Sequence, residues 1–74
     1  MEKRSFSIRG HRTSIALEAP FWDTLEAYAR MADVSLPTLI ADIDARRLSE
    51  TPPPGLASAL RVWALRHASL GRKM

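Results

Sequence analysis

The stretch from Arg12 to Glu18 alternates polar and apolar side chains with a period of two, which is the pattern of a half-buried β-strand. Burial of one face places Thr13, Ile15 and Leu17 inside and turns the alternate residues outward. A strand leaves N–H and C=O groups unpaired along both edges, and the cheapest partner is the same strand of a second copy. The feature therefore predicts a homodimer with a polar outward face made of Arg12, Ser14, Ala16 and Glu18.

The segment before this strand carries a second alternation in the opposite phase. Phe6 and Ile8 occupy even positions, whereas Ile15 and Leu17 occupy odd positions. One flat strand cannot bury both sets on the same face, so the phase must change between them, and Gly10 is the natural place for a bulge or a turn. Residues 4–9 are therefore either a second short strand or an arm with its own docking site, and the sequence leaves both open.

Length and charge limit what the chain can be. Its 74 residues correspond to one domain with a thin core, and without cysteine that core cannot be reinforced by disulfides. Oligomerisation is the usual remaining way to enlarge such a core. The net charge of +3 is concentrated in residues 1–18 and 51–74, around an acidic middle, which favours an anionic partner. No membrane span or secretory signal is recognisable, so we expect a cytoplasmic protein.

Three helices are predicted after the strand. The first covers about residues 20–31, the second begins at Ser35 as its N-cap, and the third covers about residues 56–70 after a proline linker. Asp42, Asp44, Arg46 and Arg47 are expected to face water. The apolar stripes are Phe21, Leu25, Tyr28, Ala29 and Ala32 with Trp22 beside them, then Leu36, Leu39, Ile40, Ile43 and Leu48, then Leu56, Leu60, Trp63, Ala64 and His67.

No arrangement of residues indicates catalysis or metal binding. His11 and His67 lie far apart without a nearby carboxylate at ligand spacing, and Ser14 has no candidate base at a fixed offset. We therefore predict neither an enzyme nor a cofactor or metal site. Trp22 and Trp63 are interpreted as packing residues.

The strand-to-helix join at residues 13–22 and the interhelix turn at residues 33–40 resemble the ribbon-helix-helix family of DNA-binding proteins. The wider pattern, including residues 10–12 and Ser58-Ala59-Leu60-Arg61-Val62, is similar to short bacterial members with a helical extension. The resemblance implies a mainly α fold with one β-strand per protomer, in an intertwined homodimer with an extra C-terminal helix. Residues 1–50 would form the ribbon-helix-helix domain with an N-terminal arm, residues 51–55 the linker, and residues 56–74 the C-terminal helix packed on the dimer.

The resemblance also implies a function. Strands from two protomers would form an antiparallel ribbon that enters the major groove of double-stranded DNA, as in a transcriptional regulator such as a repressor. Base contacts would fall to Arg12, Ser14 and Ala16. Phosphate contacts would come from Lys3, Arg4 and Arg9, and from Ser35, Leu36 and Thr38 at the start of the second helix. The dimer core would contain Thr13, Ile15, Leu17, Phe21, Leu25, Leu39, Ile40 and Ile43.

Two alternatives remain open. Ala16 stands where many members of the family have a long polar side chain, so base readout would be sparse. The chain could instead be an antitoxin-like protein that binds DNA with its ribbon and a toxin with its C-terminal part. It could also be a protein-interaction module that keeps the dimer, loses the DNA contacts and uses the C-terminal helix.

Overall fold

The computed structural model describes residues 1–68, which form a two-stranded antiparallel sheet and three helices. In chain order the elements are β1 (Glu2–Ile8), β2 (His11–Leu17), α1 (Ala19–Ala32), α2 (Leu36–Arg47) and α3 (Leu56–His67). The predicted mainly α class with an extra C-terminal helix is confirmed. The strand count is corrected, because residues 1–68 contain two strands rather than one.

The two strands form a hairpin closed by Arg9 and Gly10. Both residues have positive φ, 49° and 81°, as a two-residue type I′ turn requires. The register pairs even positions of β1 with odd positions of β2, from Ile8 opposite His11 to Glu2 opposite Leu17. The phase change expected at Gly10 is thus a turn, and the second-strand alternative is the one observed. One edge of β2 is satisfied within the chain and needs no second copy.

Helix α1 begins beside Pro20 and ends at Ala32, and its C-cap, Asp33, adopts the left-handed conformation. Its buried residues are Trp22, Leu25 and Ala29. The indole of Trp22 is fully buried, and its N–H donates to the Glu2 carbonyl at 2.8 Å. Trp22 therefore lies at the centre of the helix's apolar face and fixes the start of β1 to α1.

Helix α2 begins at the predicted N-cap, because the Ser35 hydroxyl accepts a hydrogen bond from the Thr38 N–H. Leu39, Ile40 and Ile43 are buried as predicted. Three expectations fail at the other end. Leu48 is half exposed, because the helix ends at Arg47 and Leu48 lies outside its apolar stripe. Asp44 does not face water and is instead buried, and the Arg47 side chain is largely covered because it bonds to Asp44 and to the Pro54 carbonyl.

Helix α3 packs on α1, α2 and β2 of its own chain. Leu60 and Ala64 are buried, and the rings of Trp63 and Tyr28 are perpendicular with their centroids 4.6 Å apart. The helix ends at His67, and the predicted extension to Leu70 lies outside the described residues. The core is thus built from all three helices and the hairpin within one chain.

Of the residues predicted for a dimer core, most lie in this single-chain core. Those buried are Ile15, Leu17, Leu25, Leu39, Ile40 and Ile43, while Phe21 and Thr13 are partly exposed. The contribution of a second copy of the chain to this core remains a prediction.

Candidate nucleic-acid interface

The outer face of the hairpin is small, polar and basic. We call outer face the six residues that point away from the helices, which are Lys3, Ser5, Ser7, Arg12, Ser14 and Ala16. All are exposed except Ala16, which is partly buried. The Ser5 and Ser14 hydroxyls lie opposite each other with their oxygens 3.1 Å apart. No acidic side chain interrupts this face within the two strands.

Two cations occupy opposite ends of the outer face. Arg12 lies level with Ser7, four residues along β1 from Lys3, which corresponds to about 13 Å along the ribbon. Neither side chain forms an ion pair with any residue in the 1–68 range. Both charges are therefore available to an external anion.

Arg4 lies on the opposite, inner face of the hairpin. Its guanidinium bonds to Glu26 of α1 and to Glu2, and it lies 4.7 Å from the centroid of the Trp22 ring. The hydrogen bonds to Glu26 and Glu2 raise the pKa of Arg4 above its ordinary value. The structure thus gives Arg4, predicted as a phosphate contact, three internal partners.

Arg9 is also engaged within the chain. From the hairpin turn its guanidinium reaches the carboxylate of Asp44, which also accepts from Arg47 at 2.6 Å. Arg47 donates in turn to the Pro54 carbonyl at 3.0 Å. Asp44 therefore fixes the hairpin tip to α2, and Arg47 extends this network to the proline linker. The Arg9 side chain remains 48% exposed.

The start of α2 offers few free donors. Pro37 has no N–H, and the Thr38 N–H already bonds to the Ser35 hydroxyl at 3.2 Å. Ser35 in turn donates to the Thr38 hydroxyl at 2.8 Å. Of the first helical turn, only the Leu36 N–H is left for an external acceptor among residues 1–68. The predicted phosphate site here therefore depends on a single amide and on the helix dipole.

A groove lies beside the free edge of β2. It has a volume of about 540 Å³ and is lined by Thr13, Ile15, Leu56 and Ala57, among others. In residues 1–68 no strand pairs with this edge, so half of the β2 backbone groups point away from β1.

At the carboxyl end of β2, the Arg61 guanidinium of α3 bonds to Glu18 with its Nε 2.9 Å from Oε1. This hydrogen bond lowers the pKa of Glu18 below its ordinary value. The contact fixes the end of the strand to α3 and keeps the carboxylate of Glu18 engaged.

Sequence reasoning placed Arg12, Ser14 and Ala16 on one polar face and missed Ser5 and Ser7 beside them. The signal was present, since a two-residue turn at Arg9-Gly10 aligns the odd positions of β1 with the even positions of β2. Among residues 1–68 no group of three acidic, histidine or cysteine side chains could hold a metal ion.

In the described part of the chain, no helix combines the length and the apolar character needed to cross a membrane. A family model described as a ribbon-helix-helix domain matches residues 1–68. Comparison with curated proteins gave no match, and neither did comparison with solved structures.

Proposed function

The chain belongs to the ribbon-helix-helix domain family, whose members are DNA-binding proteins, and on this premise we propose that it is a transcriptional regulator that reads duplex DNA with its hairpin. The observation that carries the proposal is the outer face, with no acidic residue and with two cations that have no ion-pair partner among residues 1–68. A two-stranded ribbon fits the major groove, which is about 12 Å wide.

The proposed base contacts are Arg12, Ser14 and Ala16. The Arg12 guanidinium can bond both acceptors of guanine, the Ser14 hydroxyl can donate or accept, and the Ala16 methyl can pack against a thymine methyl. Ser5 and Ser7 lie on the same face and add two short hydroxyls. Because all but Arg12 are short side chains, Arg12 would carry most of the discrimination between bases.

The proposed phosphate contacts are narrowed by the ion pairs. Lys3 is exposed and unpaired in the described chain, so we propose it as the main phosphate contact of the hairpin. Arg9 keeps a half-exposed side chain and is a second candidate, whereas Arg4 is held on the inner face. Ser35, Leu36 and Thr38 would contribute through the Leu36 N–H and the helix dipole.

We further propose that the protein binds DNA as a homodimer, as the family generally does. The free edge of β2 and the groove beside it suit a second copy, since antiparallel pairing of two β2 strands would satisfy the open backbone groups. The shared sheet would then have four strands. The central pair of β2 strands, with the two Arg12 side chains, would form the ribbon that enters the groove, and the two Lys3 side chains on the flanking β1 strands would lie toward the phosphates. Sedimentation equilibrium that shows only monomer, with and without duplex DNA, would contradict this arrangement.

The test is a binding assay of the full chain on genomic DNA fragments, followed by titration of a selected site and a scrambled duplex. We expect Arg12→Ala to remove most of the preference for the selected site, because a bidentate arginine–guanine contact contributes about 1–3 kcal/mol of discrimination. Arg30→Ala is the matched control, since Arg30 is exposed on α1 and away from the hairpin. Equal preference in wild type and Arg12→Ala would exclude Arg12 as the reader.

A protein-interaction role is the second candidate. Helix α3 is folded on its own chain, unlike a tail that folds only on a toxin, which argues against the antitoxin-like variant of this role. A surface that includes α3 nevertheless has features of a binding site.

A further inference from the structure

A groove separate from the hairpin runs between α2 and α3. It has a volume of about 340 Å³, and no strand residue lines it. Helix α3 contributes Ser58, Ala59, Val62, Trp63, Arg66 and His67, which form two adjacent rows along one side of the helix. Helix α2 and the residues after it contribute Ile43, Arg46, Arg47 and Glu50, and Pro54 follows from the linker.

The groove has an apolar floor and a basic rim. Ile43 is buried at the floor, whereas Val62 keeps 46% of its surface exposed. The lining contains three arginines and one glutamate, and Asp42 and Asp44 offset two of the arginines, so Arg66 is the cation that a partner's carboxylate would meet first. Arg46 and Arg47 have aspartate partners on α2, but Arg66 forms no ion pair within residues 1–68.

The shape matches a helix better than a small molecule. The lining positions on α3 extend from Ser58 to His67, a rise of about 14 Å, or two and a half helical turns. Grooves between two parallel rows of side chains receive amphipathic helices, whose apolar residues recur every three or four positions. The apolar floor distinguishes this groove from a phosphate-binding surface, which needs positive charge but no apolar centre.

We propose that the groove between α2 and α3 binds an acidic amphipathic helix of a partner protein. The apolar side of that helix would cover Val62 and Trp63, and its carboxylates would meet Arg46 and Arg66. The chain's own helices do not supply this occupant, because α1 and α2 turn their apolar stripes into the core. The proposal is independent of DNA binding, since it uses none of the outer-face residues.

The test uses a synthetic helical peptide of about four turns, with leucine on one face and glutamate on the other, labelled for fluorescence anisotropy. A scrambled peptide of the same composition and a version with lysine for glutamate are the comparison probes. We expect the acidic amphipathic peptide to bind and both others to bind far more weakly. Backbone amide shifts should concentrate on residues 43–50 and 58–67 and spare the hairpin.

Arg66→Glu replaces an attraction by a repulsion, so we expect about tenfold weaker peptide binding. Arg30→Glu is the matched control with the same charge change on α1, and it should bind the peptide nearly as wild type. Circular dichroism checks that both variants fold. The proposal fails if the scrambled peptide binds equally, if both charge reversals weaken binding alike, or if duplex DNA rather than the peptide shifts the groove amides.

Discussion

The two faces of the hairpin use the same kind of residue in opposite ways. On the inner face, Arg4 is bound to two carboxylates and lies over Trp22. On the outer face, Arg12 and Lys3 have no acidic partner in the described chain. A positive residue in the sequence is therefore not by itself a DNA contact. Strand register, which decides the face, also decides which charges remain available for a polyanion.

The largest effect is expected from placing a lysine on the inner face of β2 rather than on its outer face. Ile15→Lys places an unpaired charge in the core and removes apolar contacts. Together these changes should lower the free energy of unfolding by about 3–5 kcal/mol. We expect the variant to be largely unfolded. Ser14→Lys on the outer face should keep the wild-type melting temperature within a few degrees. Thermal unfolding followed by circular dichroism measures both, and equal destabilisation would show that the two faces are not distinct.

The same contrast applies to α3, which has one buried and one exposed leucine five residues apart. Leu60 is fully buried, so Leu60→Ala should cost about 2–5 kcal/mol. Leu65 is 67% exposed, and Leu65→Ala should change stability by less than about 0.5 kcal/mol. Urea unfolding gives both values. Removal of the chain after Thr51 should destabilise at least as much as Leu60→Ala, and an unchanged melting curve would mean that α3 adds nothing to the core.

Helix α2 has one exposed aspartate, Asp42, and one buried aspartate, Asp44, which can be compared in the same way. The carboxylate of Asp44 joins Arg9 and Arg47 and is 11% exposed, so Asp44→Ala should cost about 2 kcal/mol by leaving two guanidinium groups without their partner. Asp42 pairs with Arg46 on the surface, and Asp42→Ala should cost less than about 0.5 kcal/mol. Chemical denaturation of the two variants side by side tests this. Similar costs would mean that the hairpin tip does not depend on Asp44.

The smallest effect is expected in the pH dependence of stability at the Glu18–Arg61 contact. Because the Arg61 hydrogen bond lowers the pKa of Glu18 in the folded state, the contact stabilises the fold fully above the ordinary glutamate pKa and loses this contribution as the pH falls through the lowered value. We expect Glu18→Gln to melt slightly below wild type at neutral pH and to approach it at the acidic end. Melting temperatures across the acidic range measure the difference, and a gap that stays constant with pH would contradict the role of the charge.

The sequence predicted the features that depend on local periodicity. The alternation from Thr13 to Leu17 gave the faces of β2, and the Ser35 cap gave the start of α2, because both signals lie within a few residues of the structure they determine. The sequence did not predict the central position of Trp22, because the helical periodicity places it only beside the apolar stripe that contains Phe21.

What the sequence did not predict depends on contacts between distant residues. Asp44 looks like Asp42 in the sequence, and only its approach to Arg9, 35 residues earlier, makes it a buried link. The inward position of Arg4 depends on the hairpin register, whereas the sequence alone allows residues 4–9 to be either a strand or an arm. Only the β2 half of the outer face could be predicted from the sequence, because the other half comes from β1, whose pairing with β2 the sequence left open.

The central claim is that the outer face of the hairpin binds duplex DNA, and salt dependence of binding tests it most directly. Wild type, Lys3→Ala and Arg4→Ala are titrated with the selected duplex and the scrambled duplex at several salt concentrations. We expect Lys3→Ala to reduce the slope of log K against log salt by about one unit per protomer, or about two units for the homodimer, because each protomer loses one phosphate contact, and to weaken binding to both duplexes alike. Arg4→Ala, folded as judged by circular dichroism, should leave the slope unchanged. Salt-independent binding, or a slope altered by Arg4→Ala but not by Lys3→Ala, would contradict the account.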